Sequence, residues 1–364
     1  MNPELVPSPD MLGLPLSPWI LRALSALTLA AHWSMIGGAV GGTALMAVEA
    51  WRARRSPGGA KLGRAIVSYI LFAISIGVTF GIAPLLFVQV LYGNLFYSAN
   101  VLMAYWWLAI VPLAVGGTYL VYFARQRLKS GRGVHPGTMA AALAIFILLA
   151  AILVSITVLS QNPEAWQGMY RWGGAAFYAD GAAFRARLAL ALCGLLTAGG
   201  LFVALLGKLH LLYDAEAEQL AVPQGLRLAS VAILAQLAAG VAVLVILPEN
   251  QRHAVVSGGG EAAYFYVAVA AGVATAVLAA LARRRPTRAK VVLAGLVYFI
   301  GLVALALARD VARQAAVAPV FRVPDIAVNP QWGPFAVFLA FLVGGVAVLV
   351  WLVRLARGPR PEAE

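Results

Sequence analysis

The chain has 364 residues, of which 62% are hydrophobic and only 11% are charged, and its mean hydropathy is +0.87. Soluble chains are about half apolar and about a quarter charged, so this composition excludes a water-soluble globular protein. The net charge of +13 could suit nucleic acid, but we attribute it to membrane topology, because the basic residues cluster in particular gaps between apolar runs. The single cysteine, Cys193, excludes a disulfide framework, a thiolate metal site and covalently attached haem.

Nine segments are long and apolar enough to cross a bilayer, which takes about 20 residues as a helix. We place these spans at 18–49, 64–93, 96–124, 138–160, 184–207, 228–248, 261–282, 289–309 and 332–353. No gap between them could hold a second folded domain. The sequence therefore predicts an all-α, polytopic membrane helix bundle: an N-terminal extracytoplasmic segment over 1–17, one nine-helix membrane domain over 18–356, and a cytoplasmic tail over 357–364.

The orientation of the bundle follows from the distribution of lysine and arginine. Nineteen of the 27 basic residues lie in the gaps after spans 1, 3, 5 and 7 or in the C-terminal tail, and eight lie on the other side. Because basic residues collect on the cytoplasmic face, we expect the N-terminus outside and the C-terminus in the cytoplasm. The expected partner of the long apolar surface is membrane lipid, with no role for nucleic acid.

A polar or metal-ligating residue inside a span is a candidate functional residue, because it is costly to bury in lipid. His32 is the only histidine well inside a span, and Gln89 lies late in span 2. His32 could be an axial ligand to haem iron, or it could simply bond to a backbone carbonyl. A second axial ligand would have to come from a methionine such as Met35, Met46 or Met103, each of which could instead fill the core.

Four arginines lie at a similar depth near the predicted outer surface. Arg185 and Arg187 open span 5, whereas Arg309 and Arg313 close span 8 and share one helix face. Guanidinium groups gathered at one level could hold haem propionates or a quinone head group. They could equally extend towards the aqueous interface without binding anything.

The order of these features resembles subunit I of the cytochrome bd-type quinol oxidases. That family has nine spans, an outer N-terminus and a haem-ligating histidine in span 1, the position of His32. Its Gly-Ile-Pro turn is similar to Gly81-Ile82-Ala83-Pro84, followed here by Gln89. Its Gln-Asn-Pro turn is similar to Gln161-Asn162-Pro163, and its Gly-Arg-Gln-Pro-Trp segment to the stretch 308–314.

The sequence also departs from that family at several ligand positions. No histidine occurs near 187–189, no methionine occurs in 261–282, and the acidic residues expected after the Gly-Ile-Pro turn are replaced at 85–87. The long quinol-binding gap between spans 6 and 7 is reduced to 249–260. A centre with three haems cannot be built from one histidine, so we do not expect this subunit to reduce oxygen by itself.

The resemblance implies an electron-transfer subunit in a prokaryotic inner membrane. It would hold at most one haem b, on His32, with Arg309 and Arg313 near the propionates, and it could bind a quinone. Its partners would be other membrane subunits and a c-type cytochrome or an iron–sulfur protein. The alternatives are a cofactor-free structural subunit or a transporter. The transporter hypothesis is the weaker, because Pro84 and Pro112 interrupt helices in the first half without a counterpart in the second.

Overall fold

The computed structural model describes residues 6, 13–53, 61–179, 181–320 and 322–356. These residues form eleven α-helices. They are α1 (Pro18–Ala53), α2 (Lys61–Leu102), α3 (Ala104–Lys129), α4 (Pro136–Ser160), α5 (Trp166–Tyr170), α6 (Gly181–Lys208), α7 (Ala215–Ile246), α8 (Glu249–Ser257), α9 (Ala262–Arg284), α10 (Arg288–Val317) and α11 (Trp332–Ala356). The predicted tail over 357–364 and most of the predicted segment over 1–17 lie outside the described residues.

Within the described ranges, nine helices are long and apolar enough to span a membrane, and each corresponds to one of the nine predicted spans. The predicted all-α membrane bundle is therefore confirmed. The short helices α5 and α8 lie between spans, and α8 occupies the gap at 249–260.

Because the spanning helices alternate in direction, the start of α1 and the ends of α4, α7 and α10 share one end of the bundle. We call it the amino-terminal end.

Small residues bring α1, α6 and α7 into backbone contact at the centre of the bundle. A Cβ atom added to Gly199 on α6 would lie 2.4 Å from the carbonyl oxygen of Gly37 on α1. One added to Gly225 on α7 would lie 2.5 Å from the carbonyl oxygen of Gly200. Such close approach is possible only without side chains. Gly37 and Gly41 therefore allow α1 to pack directly on the backbone of α6.

Helix α2 changes direction at Tyr92 rather than at the proline within it. The chain remains helical through Pro84, but Tyr92 has φ −140° and ψ 30°, which are not helical values. The Tyr92 side chain is almost fully buried at 2% exposure, and its neighbours are described below. The bend therefore aims one phenol hydroxyl at the interior of the bundle, while the residues after it continue as a helix to Leu102.

The segment before α1 and the segment before α11 are joined at the amino-terminal end. The Leu14 amide donates to the Ala327 carbonyl at 2.8 Å, and the Asn329 amide donates to the Leu14 carbonyl at 2.7 Å. The Gln331 amide adds a bond of 2.8 Å to the Pro15 carbonyl. Helix α11 itself packs little against the other helices, since none of the residues in its most apolar stretch is buried. These backbone bonds and the edge-to-face contact of Phe338 with Phe87 on α2, with ring centres 5.4 Å apart, therefore attach it to the bundle.

Candidate functional site

His32 lies on α1 against the backbone of α2. Its Nδ1 is 2.7 Å from the carbonyl oxygen of Gly77, and because a carbonyl can only accept, Nδ1 carries the hydrogen and donates it. A neutral ring in this tautomer leaves Nε2 unprotonated. A Cβ atom at Gly81 would lie 2.6 Å from Nδ1, so the imidazole fits here only because residue 81 has no side chain. A hydrogen bond of this kind orients metal-ligating histidines. The same bond would also satisfy the buried N–H of a histidine with a purely structural role.

Arg309 and Arg313 point from α10 into the amino-terminal half of the bundle. The Arg309 Nη2 donates to the Thr157 hydroxyl of α4 at 3.1 Å, and its guanidinium carbon lies 6.0 Å from the centre of the Trp33 ring. The guanidinium carbon of Arg313 lies 4.9 Å from the centre of the Tyr92 ring. Both contacts are cation–π geometries. Trp33 follows His32 in sequence, so Arg309 reaches the depth of the histidine.

Of the two arginines that open span 5, only one joins this group. Arg187 is near enough to Arg309 and Arg313 for mutual electrostatic repulsion, whereas Arg185 is exposed. We call Arg187, Arg309 and Arg313 the arginine cluster. In the part of the chain that the structure describes, none of the three forms an ion pair with a carboxylate. Gln89 is half-buried on α2, and no described contact joins it to the cluster.

A second group of polar side chains surrounds Asp310, and we call it the Asp310 network. The Oδ2 atom of Asp310 accepts from Arg22 Nε at 2.7 Å and from Gln314 Nε2 at 2.9 Å, and Oδ1 accepts from the Tyr92 hydroxyl at 2.7 Å. Arg22 Nη1 also donates to Glu261 Oε1 at 2.6 Å. The network therefore joins α1, α2 and α10 to the turn before α9 and holds the bend at Tyr92.

The Asp310 network escaped the sequence analysis because its members are far apart in the chain. Arg22 and Asp310 are 288 residues apart, and Tyr92 and Asp310 are 218 apart. In the sequence, Arg22 is simply one of the eight basic residues on the predicted outer side. One signal was available: Asp310 is a carboxylate between two arginines at the end of a span, and a charge in that position calls for a partner of opposite sign.

A small cavity lies between the arginine cluster and the Asp310 network. Its volume is about 30 Å³, which is room for one or two water molecules. It is lined by Arg22, Ser25, Ala26, Leu29, Val88, Ala306, Arg309, Asp310 and Arg313. The Nη2 atom of Arg22 is buried and has no hydrogen-bond partner within the protein.

A larger cavity of about 260 Å³ opens at the amino-terminal end of the bundle, among the last residues of α4 and α7 and the first residues of α6 and α8. Its walls are mostly apolar, and its polar lining consists of Arg187 and three side-chain amides. The lining residues are Val158, Gln161, Asn162, Ala183, Ala186, Arg187, Val243, Ile246, Leu247, Pro248 and Gln251. The amide oxygen of Gln251 is buried without a hydrogen-bond partner in the protein. Ile246 and Val245 remain exposed on the outer face of α7.

A haem b on His32 would have one axial ligand, and the arginine cluster could bind its propionates. A second axial ligand and space for the ring are missing. Met103 accepts from the Ser155 hydroxyl at 3.3 Å near the amino-terminal end, and Met46 packs beside Gly63 near the opposite end. Met35 is on the same face of α1 as His32 and cannot approach the iron from the opposite side. Neither of the two cavities is lined by His32, so neither offers open space beside the ring nitrogen that would bind the iron. The residues present therefore do not fit a haem in this packing.

No protein-family description and no curated protein matches this sequence. Its fold does match a solved structure, the bd oxidase from Geobacillus thermodenitrificans, with a TM-score of 0.72 over 94% of this chain and 98% of that one. The two sequences are 15% identical over the match, so the likeness shows a shared fold and nothing finer. The chain is a multi-pass membrane protein with the fold of a bd oxidase chain.

Proposed function

We propose that this chain is a quinone-binding subunit of a membrane electron-transfer complex. The observation that carries the proposal is the cavity of about 260 Å³ beside Arg187, set in a fold that matches a bd oxidase. A quinone head group is a flat ring with two opposed carbonyl oxygens and an apolar tail. It needs hydrogen-bond donors for the oxygens, apolar walls for the ring and an opening towards lipid for the tail.

The cavity supplies each of these requirements from a different helix. Arg187 on α6 can donate a charge-assisted hydrogen bond to a quinone carbonyl. Gln251 on α8 has a buried amide oxygen that lacks a partner, and a quinol hydroxyl could donate to it. Val243 and Ile246 on α7 form an apolar wall that continues into the exposed outer face of that helix. A tail leaving the ring on that side would enter lipid directly.

The chemistry of the proposal is the interconversion of quinol and quinone. Oxidation of a quinol releases two electrons and two protons, so the complex needs an electron acceptor. Because the residues around His32 do not fit a haem, we assign the acceptor to a partner subunit with a haem or an iron–sulfur centre, such as a c-type cytochrome on the outer side. This chain would bind and orient the quinol and would not reduce oxygen by itself.

The test is binding of a short-tailed quinone, decylubiquinone, to the purified chain in lipid nanodiscs. We expect saturable binding to the wild type and a loss of affinity of about tenfold or more in Arg187→Gln, since a hydrogen bond from a charged donor is worth about 1.5–3 kcal/mol. Arg185→Gln is the matched control, because Arg185 is two residues away but exposed, and it should bind like the wild type.

Equal binding by the wild type and Arg187→Gln would contradict the proposal, as would an equal loss in both arginine variants. A wild type that binds no quinone but retains an anionic phospholipid, released in Arg187→Gln, would identify the cavity as a lipid site. That result would favour the second candidate function, a cofactor-free structural subunit. The observation in its favour is the close packing of His32 on Gly77 and Gly81, which fills the position of the family's ligand.

A further inference from the structure

The amino-terminal half of the bundle carries more buried positive charge than its own carboxylates balance. The arginine cluster and Arg22 supply four guanidinium groups, whereas Asp310 and Glu261 are the acidic side chains that contact this group in the described residues. Glu261 is also 45% exposed. Unbalanced charge in a membrane interior is costly and requires a counterion.

The small cavity lies where such a counterion would be most stabilised. Three of the four guanidinium groups line it, those of Arg22, Arg309 and Arg313, together with the Ser25 side chain. The unpartnered Nη2 of Arg22 shows that one buried donor at this place lacks an acceptor. The Asp310 carboxylate is also in the lining, but both of its oxygens already accept hydrogen bonds from side chains.

We propose that this cavity binds a small monovalent inorganic anion of the chloride class. Its volume of about 30 Å³, which is room for one or two water molecules, suits a monatomic anion and is small for a lipid phosphate or a quinone ring. Arg22 and Arg313 would be its donors, and Ser25 would add a hydroxyl. The anion lowers the net charge of the group and satisfies the donor that the protein leaves unpaired.

The two cavities share no lining residue, so each has its own test, although Arg187 is near enough to Arg309 and Arg313 for its charge to act on the anion. The anion would act on the stability of the bundle, by joining α1 to α10 at the level of the Asp310 network. Loss of quinone binding in Arg187→Gln would therefore leave the anion site testable. Loss of the anion effect would likewise leave the quinone result unchanged.

The experiment measures thermal unfolding of the detergent-purified full chain while sodium gluconate is replaced by sodium chloride at constant ionic strength. A ligand that binds only the folded state raises the midpoint with a saturable dependence on its concentration. We expect chloride and bromide to raise the midpoint and gluconate, which is too large for the cavity, to have no effect. Line broadening of ³⁵Cl in NMR of the same samples reports binding directly.

Two variants assign the effect to this cavity. Arg313→Gln removes a donor, and Ala26→Leu fills the space without changing any charge, since Ala26 lines the cavity and is 3% exposed. We expect at least a tenfold loss of chloride affinity in both, read from the difference between chloride and gluconate so that a change in basal stability does not matter. Arg185→Gln should respond like the wild type.

The proposal is overturned if chloride and gluconate give the same midpoint and no ³⁵Cl broadening, since the cavity then holds only water. It is equally overturned if Ala26→Leu, correctly folded, retains the wild-type chloride response, because the anion then binds elsewhere. Should Arg313→Gln fail to fold, Ala26→Leu and the ³⁵Cl signal of the wild type still decide the question.

Discussion

The sequence alone does not decide whether His32 is a haem ligand or a structural hydrogen-bond donor, because the answer depends on its surroundings. The sequence places an imidazole deep in the first span, which is compatible with a haem ligand or with a structural hydrogen bond. The structure supplies the bond to Gly77 at 2.7 Å and the tight contact with Gly81. The first is compatible with both roles, but the second shows that the ring is closely packed against α2.

We therefore expect the purified wild-type chain to carry no stoichiometric haem b. The measurement is a dithionite-reduced minus oxidised spectrum with a pyridine haemochrome assay, on protein produced with ample haem. His32→Leu should leave this spectrum unchanged and lower the free energy of unfolding by about 0.6 kcal/mol, the average for an interhelical hydrogen bond in a membrane. One haem per chain that disappears in His32→Leu would restore the haem-ligand assignment.

At the scale of elements, the length and apolarity of the spans were enough to predict all nine long helices. They were not enough to predict α8, because the segment 249–257 is short and polar and does not have the length or apolarity of a membrane span. The bend in α2 was also missed. Pro84 was the visible candidate for an interruption, yet the helix leaves helical geometry at Tyr92, whose partner Asp310 is 218 residues away. Long-range contacts of this kind leave no local pattern.

The glycine contact between α1 and α6 yields a prediction about helix packing. Gly199→Val should destabilise the bundle by about 1–3 kcal/mol, the usual cost of overpacking, because its Cβ would meet the Gly37 carbonyl oxygen and the Gly41 backbone within 3 Å. The measurement is unfolding in mixed micelles with a denaturing detergent. Gly116→Val on α3 is the matched control, since nothing lies within 4 Å of a Cβ at that position. Equal destabilisation of both variants would contradict the packing argument.

At the scale of the whole molecule, the sequence predicts the orientation of the bundle through its basic residues. Nineteen of the 27 lie in one set of gaps or in the C-terminal tail, and the described helices place those gaps at the end opposite the arginine cluster. The sequence could not predict which arginines face inward. Arg185 and Arg187 are two residues apart, and only the folded position of α6 turns one outward and one towards α10.

The orientation is tested by cysteine labelling in a Cys193→Ala background, since Cys193 is the only cysteine. Gly168→Cys, on the exposed part of α5, should react with a membrane-impermeant maleimide in intact cells. Ser130→Cys, exposed after α3, should react only after the membrane is permeabilised. The reverse pattern would show that the positive-inside rule fails for this chain.

The pairing of Arg22 with Asp310 also has a consequence for synthesis of the protein. Arg22 enters the membrane with the first helix, but its carboxylate partners, Glu261 and Asp310, are 239 and 288 residues further along the chain. At about 5–20 residues per second, the guanidinium has no carboxylate partner for roughly 12–48 s, until Glu261 is synthesised. During this interval the first helix carries an uncompensated charge, so the insertion machinery or the aqueous interface must hold its outer end. The first helix inserted is thus among the last to reach its final position.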